Sequence, residues 1–379
     1  MFLKEIRARE IKDSRSEPTI EVQVNNAKAS SPSGKSTGKH ETPSYHHSLE
    51  WNIKFLNKFN TNLEINSFQD LRKLESLIKK HAYIRDVKQF GANALVAFEI
   101  AILRALAKKQ KKELWQIINP RAKTIPVPIG NAIGGGLHSH NKDHPTFQEF
   151  LLIPKAPSIK ENVQIMSKIY KKLKKILKAT TRNDEGAWQT NLHDEEILAI
   201  LAQFKEIHVG IDIAASTFYK NNLYEYKNKT LNRNAQISYI NSLITNYDLF
   251  YIEDPLNEEE YTGFKRIKKQ SLISSDDLTA TQISRLKKAI KTRSMNAMII
   301  KPNQNGSLLE IKKIIEICKR SNIATIISHR SGETHDTAIA DLAVAFETDY
   351  IKCGIATPWR EAKLNRLVSI ENSRSNTFK

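Results

Sequence analysis

The chain has 379 residues, 40% of them hydrophobic, and its 59 lysine and arginine residues outnumber its 41 aspartate and glutamate residues, giving a formal net charge of +18. This length suits one barrel of roughly 250 residues with a smaller second domain, and no apolar run approaches the ~20 residues of a membrane-spanning helix. The two cysteines, Cys318 and Cys353, form no disulfide framework, and the charged amino terminus is unlike a signal or transit peptide, so we expect a cytoplasmic protein.

The lysines occur in clusters that allow two interpretations. They span residues 108–112, 168–178, 265–269 and 285–291. One interpretation is a nucleic-acid-binding surface. Within 168–177, however, apolar residues recur at helical spacing, which is typical of a helix whose lysines face solvent. Without interleaved aromatic residues, a nucleic acid is not the expected partner, although a positive protein would attract a phosphorylated substrate.

The first 123 residues differ in pattern from the rest of the chain. Residues 5–11 and 19–24 alternate between apolar and polar, which predicts two antiparallel strands. Residues 68–83 and 91–109 have helical patterns, and the second segment is apolar on nearly all sides, as in a buried helix. We predict an α+β capping domain over residues 1–123 that carries a mobile lid loop, and a β/α barrel with the active site over residues 124–379.

Two short motifs invite functional interpretations that the sequence does not favour. Residues 29–36, A-S-S-P-S-G-K-S, satisfy a relaxed phosphate-loop pattern. That loop requires a glycine-rich turn that opens a helix, and here the first glycine is missing. His335 and Asp336 are adjacent, but we interpret them as helix surface and not as a metal-binding pair.

Six apolar segments in the second half of the chain each lead to a polar residue. These residues are Asp212, Glu253, Asp276, Lys301, His329 and Lys352. Each step between them is about the length of one strand plus one helix, and short apolar runs are typical of parallel strands buried on both faces. In a β/α barrel the carboxyl ends of such strands converge on one mouth. We therefore expect these side chains to form one site.

The residue types at this predicted mouth indicate metal-assisted proton transfer. Asp212, Glu253 and Asp276 offer hard oxygen ligands, which suit Mg²⁺. Clustered carboxylates repel one another unless a cation lies between them. Beside such a cation the pKa of Lys301 should fall, so that this lysine could act as a general base. Magnesium stabilisation of an ene-diolate with a lysine base is an arrangement of enolase-superfamily sites.

Ten segments resemble one known family in order and spacing. They are residues 8–10 with 13–15, 32–34 with 36–38, 148–150 (Gln-Glu-Phe), 184–186 (Asp-Glu-Gly), 212–216, 252–255 (Ile-Glu-Asp-Pro), 276–279, 301–306, 328–334 (Ser-His-Arg-Ser-Gly-Glu-Thr) and 351–352. On these segments the chain resembles enolase, phosphopyruvate hydratase, over nearly its full length. The resemblance implies the enolase-type barrel and the reversible, Mg²⁺-dependent dehydration of 2-phosphoglycerate to phosphoenolpyruvate in glycolysis and gluconeogenesis.

The resemblance also implies a role for each matching residue. Lys301 corresponds to the base that removes the C2 proton, and Glu185, held by Glu149, to the acid that helps hydroxide leave C3. The substrate-binding set would be His138, Gln148, Glu149, Lys301, Arg330, Ser331 and Lys352, and His329 corresponds to a histidine near the leaving group. Two Mg²⁺ ions per active site are implied, with the ligands Asp212, Glu253 and Asp276, and with Ser36 of the lid reaching the second ion.

Several departures from the family concern the lid and the assembly. Lys35 replaces a lid alanine, and the element after Lys352 is altered. In family dimers an arginine corresponding to Arg9 pairs with a glutamate at the position aligned with Trp359, and Glu21 would pair with an arginine where Ser369 now stands. A homodimer is expected to have altered interface ion pairs.

Two alternatives to a working enolase remain from the sequence. One is an enolase-like paralogue that binds a partner through its basic surface with little or no catalysis, which the altered carboxyl-terminal element suggests. The other is a superfamily relative that acts on a different carboxylate, which the Ser-His-Arg-Ser-Gly-Glu-Thr segment argues against.

Overall fold

The computed structural model describes residues 1–35, 38–139 and 141–377. The first part of the chain opens with an antiparallel sheet of β1 (Ile6–Lys12), β2 (Pro18–Val24) and β3 (Ala27–Ser30). Ala8 of β1 lies opposite Val22 of β2, and both are buried, as the alternating pattern requires. The predicted pair of antiparallel strands is confirmed. The segment with the phosphate-loop pattern begins inside β3 and extends to Ser36, which lies outside the described residues.

The helices of this first part are α1 (Leu49–Lys58), α2 (Leu71–His81), α3 (Ala92–Gln110) and α4 (Leu114–Ile118). Helices α2 and α3 confirm the two predicted helices. Almost all of α3 is buried because it packs against β2 and β3 on one side and against the second part of the chain on the other. Gly91 precedes it with φ 100, and a Cβ there would lie 2.4 Å from the Cα of Tyr45, so this helix start requires glycine.

The second part of the chain alternates strands and helices. Its strands are β4 (Val127–Gly134), β5 (Glu149–Pro154), β6 (Trp188–Gln189), β7 (Ile207–Asp212), β8 (Tyr219–Lys220), β9 (Leu223–Glu225), β10 (Thr230–Asn232), β11 (Tyr251–Glu253), β12 (Leu272–Ser275), β13 (Ala297–Ile300), β14 (Ala324–Ser328) and β15 (Tyr350–Lys352). Its helices are α5 (Ile159–Ile176), α6 (Asp194–Leu201), α7 (Arg233–Tyr247), α8 (Tyr261–Phe264), α9 (Ile283–Thr292), α10 (Pro302–Asn305), α11 (Leu308–Arg320), α12 (Ala338–Ala345) and α13 (Pro358–Thr377).

A closed barrel forms from β4, β5, β7 and the strands β11 to β15. Neighbouring strands follow the order β15-β14-β13-β12-β11-β7-β5-β4, and β15 pairs with β4 to close the ring. Strand β5 runs antiparallel to both of its neighbours, whereas the pairs from β7 through β15 and the closing pair are parallel. The predicted enolase-type barrel with a smaller α+β part is therefore confirmed.

Alternation along the strands separates two apolar layers. In β13, Ala297 and Ile299 belong to a small cluster inside the barrel, while Met298 and Ile300 pack in the large core beneath the helices. Tyr251 belongs to the inner cluster, and its hydroxyl donates to Glu253 Oε2 at 2.6 Å. The barrel interior is thus filled with apolar side chains below the level of Glu253, and the polar strand ends meet only at the mouth.

Helix α5 carries one of the lysine clusters on its outer face. Ile169, Tyr170 and Leu173 are buried against the barrel, while Lys171 and Lys172 are exposed. This arrangement confirms that the pattern of this cluster is that of a helix with a solvated lysine face. No helix within residues 1–35, 38–139 and 141–377 combines the length and the apolar character needed to cross a membrane.

The prediction for His335 and Asp336 is wrong in one respect, because these residues lie in the loop before α12 and not on a helix surface. Asp336 is half-buried and receives two hydrogen bonds from Arg104 of α3, at 2.6 and 2.7 Å, and one from the backbone of Ser30 at 2.9 Å. Its other oxygen accepts from the backbone of Ala338 at the start of α12 at 2.7 Å. Asp336 therefore joins the first part of the chain to the barrel.

Candidate active site

The carboxyl ends of the parallel strands place the six predicted polar residues around one mouth. Glu253 at the end of β11 lies in register with Asp212 at the end of β7. Asp276 follows β12, Lys301 follows β13, His329 follows β14, and Lys352 ends β15. All except Glu253 line a cavity of about 240 Å³, together with His138, Gln148, Glu149, Glu185, Arg330 and Ser331. The structure thus brings together every described residue of the predicted site, whereas Ser36 lies outside the described residues.

Lys352 is the centre of a buried charge cluster. Its Nζ lies 2.7 Å from Glu149 Oε2, 2.9 Å from Asp212 Oδ2 and 2.9 Å from Glu253 Oε2. Burial by itself would lower the pKa of this lysine, but the three carboxylates outweigh burial and raise the pKa well above its usual range. Lys352 is therefore a fixed positive charge at the floor of the cavity.

Lys301 forms an ion pair with Asp276 Oδ2, and Gln304 donates to Asp276 Oδ1 at 3.0 Å. Burial lowers the pKa of Lys301, but the neighbouring Asp276 carboxylate more than compensates, so the pKa is raised. The sequence analysis predicted a lowered pKa for Lys301. The direction differs because that prediction placed a divalent cation beside Lys301, whereas in the structure the carboxylate of Asp276 pairs with the lysine directly.

Glu149 and Glu185 form a coupled carboxyl pair close to two histidines. Oxygens of both glutamates and a ring nitrogen of His138 lie within 4.8 Å of one another, and His329 Nε2 is 4.0 Å from Glu185 Oε2. Burial and the nearby Glu185 and Asp212 raise the pKa of Glu149 well above its usual range, despite Lys352. Burial also disfavours ionised Glu185, but the surrounding positive and hydrogen-bonding groups, which include His138, Arg360 and Glu149, outweigh burial and lower its pKa. The surroundings of the two carboxyl groups therefore shift their pKa values in opposite directions.

The segment around Lys35, which the sequence predicts to be part of a lid, lies beside the loop after β14. Arg330 donates to Asn303 Oδ1 at 3.0 Å and pairs with Glu41 at 3.0 Å. The backbone of Ser33 pairs with that of Gly332, and the backbone nitrogen of Lys35 donates to Ser331 Oγ at 2.7 Å. The described part of the lid segment therefore lies directly against the Arg330–Ser331 turn.

Gly34 allows this close approach of the lid segment. A Cβ at Gly34 would lie 2.0 Å from Arg330 Nη2, so any larger residue would displace the guanidinium group. Lys35 extends beyond this point, and its Nζ lies 3.5 Å from Asp184, the neighbour of Glu185. Lys35 thus connects this segment with the loop that carries Glu185.

The donor set at the mouth fits a hard divalent cation. Asp212, Glu253 and Asp276 present carboxylate oxygens, which are the ligands that Mg²⁺ prefers. Burial and the neighbouring carboxylates raise the pKa of Glu253 to about 8 and that of Asp277 to about 7. Raised pKa values of this kind indicate negative charge that the lysines do not balance, which a cation would compensate.

Some residues of the site were missed by the sequence analysis. Asn131 of β4 donates to Glu185 Oε2 at 3.2 Å, Glu41 pairs with Arg330, and Arg360 donates to His329. Asn131 had a detectable signal, because it is a polar residue inside an apolar strand. Glu41 and Arg360 had none in the pattern of strand ends, since they lie outside the barrel strands.

Comparison with known proteins agrees with this geometry. The model of the enolase C-terminal TIM barrel domain matches residues 122–379, and that of the enolase N-terminal domain matches residues 3–118. The enolase of Natronomonas pharaonis is 34% identical over 98% of this chain and 99% of its own length.

Two further relatives show similar agreement. An enolase of Ehrlichia ruminantium is 36% identical over 97% of this chain and 96% of its own length. The enolase of Archaeoglobus fulgidus is 33% identical over 98% of this chain and 97% of its own length. These matches confirm the resemblance inferred from the sequence motifs, and the chain belongs to the enolase family.

Proposed function

We propose that the barrel mouth catalyses the enolase reaction, the reversible dehydration of 2-phosphoglycerate to phosphoenolpyruvate in glycolysis and gluconeogenesis. Membership of the family makes the protein a hydro-lyase, phosphopyruvate hydratase, that acts on a phosphorylated small molecule. The observation that carries the assignment of the site is that one cavity joins a lysine, a proton-sharing carboxyl pair and an arginine–serine turn. These groups supply a base, an acid and an anion-binding corner.

Lys301 is the proposed general base for the C2 proton of the substrate. Its amine lies at the mouth beside Asp276, held by an ion pair that also fixes its orientation. A base must be unprotonated when the substrate arrives. Any positive charge that neutralises Asp276 removes the interaction that raises the pKa of Lys301, and so favours the free amine.

Glu185 and Glu149 are the proposed acid pair for the departure of hydroxide from C3. One proton shared between two carboxyl groups remains available near neutral pH, because the second ionisation is disfavoured by the first charge. The raised pKa of Glu149 and the lowered pKa of Glu185 make Glu149 the member of the pair that would hold this proton before transfer. Glu185 would pass it to the leaving hydroxide, and His329 lies beside Glu185 to support that transfer.

Substrate binding is assigned to the remaining side chains of the cavity. Arg330 and Ser331 would bind the phosphate, because a guanidinium group matches phosphate geometry, and the phosphate would then replace Glu41 as partner of Arg330. His138 and Gln148 would contact the substrate from the loop between β4 and β5. Lys352 would bind the substrate carboxylate and stabilise the charge that develops on it.

Two Mg²⁺ ions per active site are proposed, on the basis of the hard oxygen donors. Asp212, Glu253 and Asp276 would hold the first ion, and Ser36 of the lid would contribute to the second. Bound magnesium supplies Lewis-acid stabilisation of the charge that develops on the substrate carboxylate. Residues 1–123 are the proposed capping domain that carries this lid, and residues 124–379 are the proposed barrel domain.

Location and assembly are inferred from the same chain. The buried, unpaired thiols of Cys318 and Cys353 suit a reducing compartment, and we place the protein in the cytoplasm. We also propose a homodimer with altered ion pairs. Arg9 donates to Glu21 of the same chain at 2.8 Å, so the two residues that would pair across a family interface are here paired with each other.

Turnover is the direct test of the proposed function. Formation of phosphoenolpyruvate from 2-phosphoglycerate, followed by ultraviolet absorbance, should require Mg²⁺, stop on addition of a chelator and be absent in Lys301→Ala. A folded, Mg²⁺-loaded wild-type protein without turnover would support the alternative of a paralogue that binds a partner through its basic surface. The family matches do not favour that alternative.

A further inference from the structure

Arg360, near the start of α13, is a fully buried arginine beside the active site, with 0% of its surface exposed. Its hydrogen-bond acceptors among the described residues are all neutral. Nε donates to His329 Nδ1 at 3.2 Å, Nη1 to Thr357 Oγ1 at 3.4 Å, and Nη2 to the carbonyls of Arg330 and Ser331 at 3.3 and 3.4 Å. Burying a guanidinium group against neutral acceptors is costly, which suggests that its position serves the site.

The backbone beside Lys352 leaves space for this arginine. Gly354 has φ 80, and a Cβ there would lie 2.2 Å from Arg360 Cδ. A residue with a side chain at position 354 would be both strained and in collision with Arg360. The strand end that places Lys352 in the cavity therefore continues directly into a turn shaped around the arginine.

The contact with His329 determines which ring nitrogen carries the proton. Arginine donates hydrogen bonds and never accepts them, so His329 Nδ1 must be the unprotonated acceptor. The proton of the neutral imidazole is then on Nε2, the nitrogen that lies 4.0 Å from Glu185 Oε2. The backbone nitrogen of His329 also donates to the Lys352 carbonyl at 2.8 Å, which fixes the backbone from which the ring extends.

We propose that Arg360 is a positioning residue that holds His329 in the Nε2-protonated tautomer, so that a donor always faces Glu185 during the loss of hydroxide. This role rests on the proposed function of Glu185. The carbonyls of Arg330 and Ser331 and the Thr357 hydroxyl orient the guanidinium plane, and Nε is then directed at the imidazole.

The positive charge of Arg360 favours the neutral form of His329, the form in which the hydrogen bond can select a tautomer. Burial is the main cause that lowers the pKa of His329 well below its usual range, and the nearby guanidinium group lowers it further. The ring is therefore neutral, and a neutral ring has a tautomer to select. The charge of Arg360 also favours the ionised form of Glu185, the acceptor that faces Nε2.

Two substitutions separate the directed hydrogen bond from the buried charge. Arg360→Lys keeps a positive charge but has no donor at the place of Nε, and Arg360→Met removes charge and donors together. Arg366→Met is the matched control, because Arg366 lies on the same helix, pairs with Asp341 and Glu113 at 2.6 Å, and has no contact with His329.

The two readouts are the steady-state kinetics and the ¹⁵N spectrum of histidine-labelled enzyme, in which the His329 signals are assigned by their loss in His329→Gln. In both Arg360 variants we expect kcat to fall by about ten- to a hundredfold, the size typical of groups that orient a ligating or reacting side chain. KM should change little, and the His329 nitrogens should show loss of the pure Nε2-protonated form. Arg366→Met should keep the wild-type kcat and the wild-type spectrum.

Several outcomes would overturn the proposal. If Arg360→Met does not fold, Arg360→Lys alone decides the question. A wild-type His329 tautomer in Arg360→Lys would show that Arg360 does not select it, and an altered tautomer with unchanged kcat would show that the tautomer does not serve the reaction. The spectrum requires no turnover, so a wild-type protein that failed to convert 2-phosphoglycerate would contradict the proposed function while the tautomer could still be tested.

Discussion

The positive charge of Lys352 at the barrel mouth is paired with acidic side chains from several strands. Lys352 contacts three buried carboxyl groups, those of Glu149, Asp212 and Glu253. These carboxylates come from β5, β7 and β11, so a single ammonium group connects side chains from neighbouring strands. The positions of most of these residues could be predicted from the sequence, because polar residues at the ends of apolar strands must meet at the mouth of a barrel.

Removal of Lys352 should increase the affinity for magnesium while it abolishes turnover. In Lys352→Met the three carboxylates lose their cation, and a divalent ion no longer competes with an ammonium group for the oxygens of Asp212 and Glu253. Without metal, the free energy of unfolding should fall by about 3–5 kcal/mol, as for other buried pairs that lose one partner. Calorimetric titration with Mg²⁺ and chemical denaturation in chelator measure both effects.

Lys363→Met provides the control for this substitution. Lys363 is also buried and pairs with Glu333 at 2.7 Å, outside the carboxylate cluster at the mouth. We expect it to lose stability without a gain in magnesium affinity. Weaker Mg²⁺ binding by Lys352→Met than by the wild type would show that the ammonium group helps to assemble the metal site instead of competing with the ion.

At the scale of single elements, α6 supports the loop that leads into β5 and thereby Gln148 and Glu149. Asp194, the first residue of α6, accepts a hydrogen bond from the backbone nitrogen of Phe147 at 3.0 Å. Burial raises the pKa of Asp194 to about 6, despite the hydrogen bonds that it accepts. The folded protein therefore binds a proton at Asp194 more tightly than the unfolded chain, whose aspartate has a pKa of 3.8.

Asp194 should make the stability depend on pH in the acidic range. Its favourable contribution is complete below about pH 4 and is lost as the pH rises through about 6, because the folded state then loses a proton that the unfolded state has already released. The difference in unfolding free energy between the wild type and Asp194→Asn should change by up to about 3 kcal/mol between pH 4 and pH 7.5. Urea denaturation at several pH values measures it, and parallel curves for the two proteins would contradict a raised pKa.

Elements with strong periodicity were predictable from the sequence, and contacts between distant loops were not. Helix α3 and the strand ends from β7 to β15 follow from apolar patterns that reflect burial. The loop with His335 and Asp336 was predicted wrongly, because its structure depends on Arg104, which lies more than 200 positions earlier in the chain. The position of Arg360 likewise depends on the turn at Gly354 and on His329. The local pattern of apolar and polar residues does not predict such contacts.

The whole molecule depends on the joint between its first part and the barrel. Arg104 in the first part forms a bidentate ion pair with Asp336 in the second part. The backbone nitrogen of Lys35 donates to Ser331 Oγ across the same interface. Arg104 belongs to α3 and Lys35 to the loop after β3, so both contacts come from the first part of the chain. The pair is remote from the reacting groups and should affect stability without affecting chemistry.

Asp336→Ala should destabilise the protein without altering kcat/KM well below the melting temperature. The substitution removes the bidentate ion pair of the half-buried Arg104 and leaves its hydrogen bond to the Lys28 carbonyl at 2.8 Å, so we expect a loss of about 1–3 kcal/mol of unfolding free energy. Chemical denaturation measures the loss, and Glu50→Ala, which removes the exposed Glu50–Lys54 pair, should cause almost none. Equal stability of Asp336→Ala and the wild type would show that the joint does not depend on this pair.

The proposed dimer should dissociate more readily than an interface with intact ion pairs. Because Arg9 and Glu21 satisfy each other within one chain, they contribute little across an interface. Light scattering over a range of protein and salt concentrations should show a reversible approach to monomer. A dimer that persists on dilution and in high salt would count against the altered interface.

Hydrogen exchange at C2 of 2-phosphoglycerate in deuterated water, with Mg²⁺ present, tests the assignment of base and acid most directly. The wild type should exchange the C2 proton and form phosphoenolpyruvate. Glu185→Gln should keep measurable exchange while losing product formation, because removal of the proton by Lys301 precedes loss of hydroxide. Lys301→Ala should lose both. Exchange by Lys301→Ala at the wild-type rate would contradict the proposal that this lysine at the end of β13 is the base.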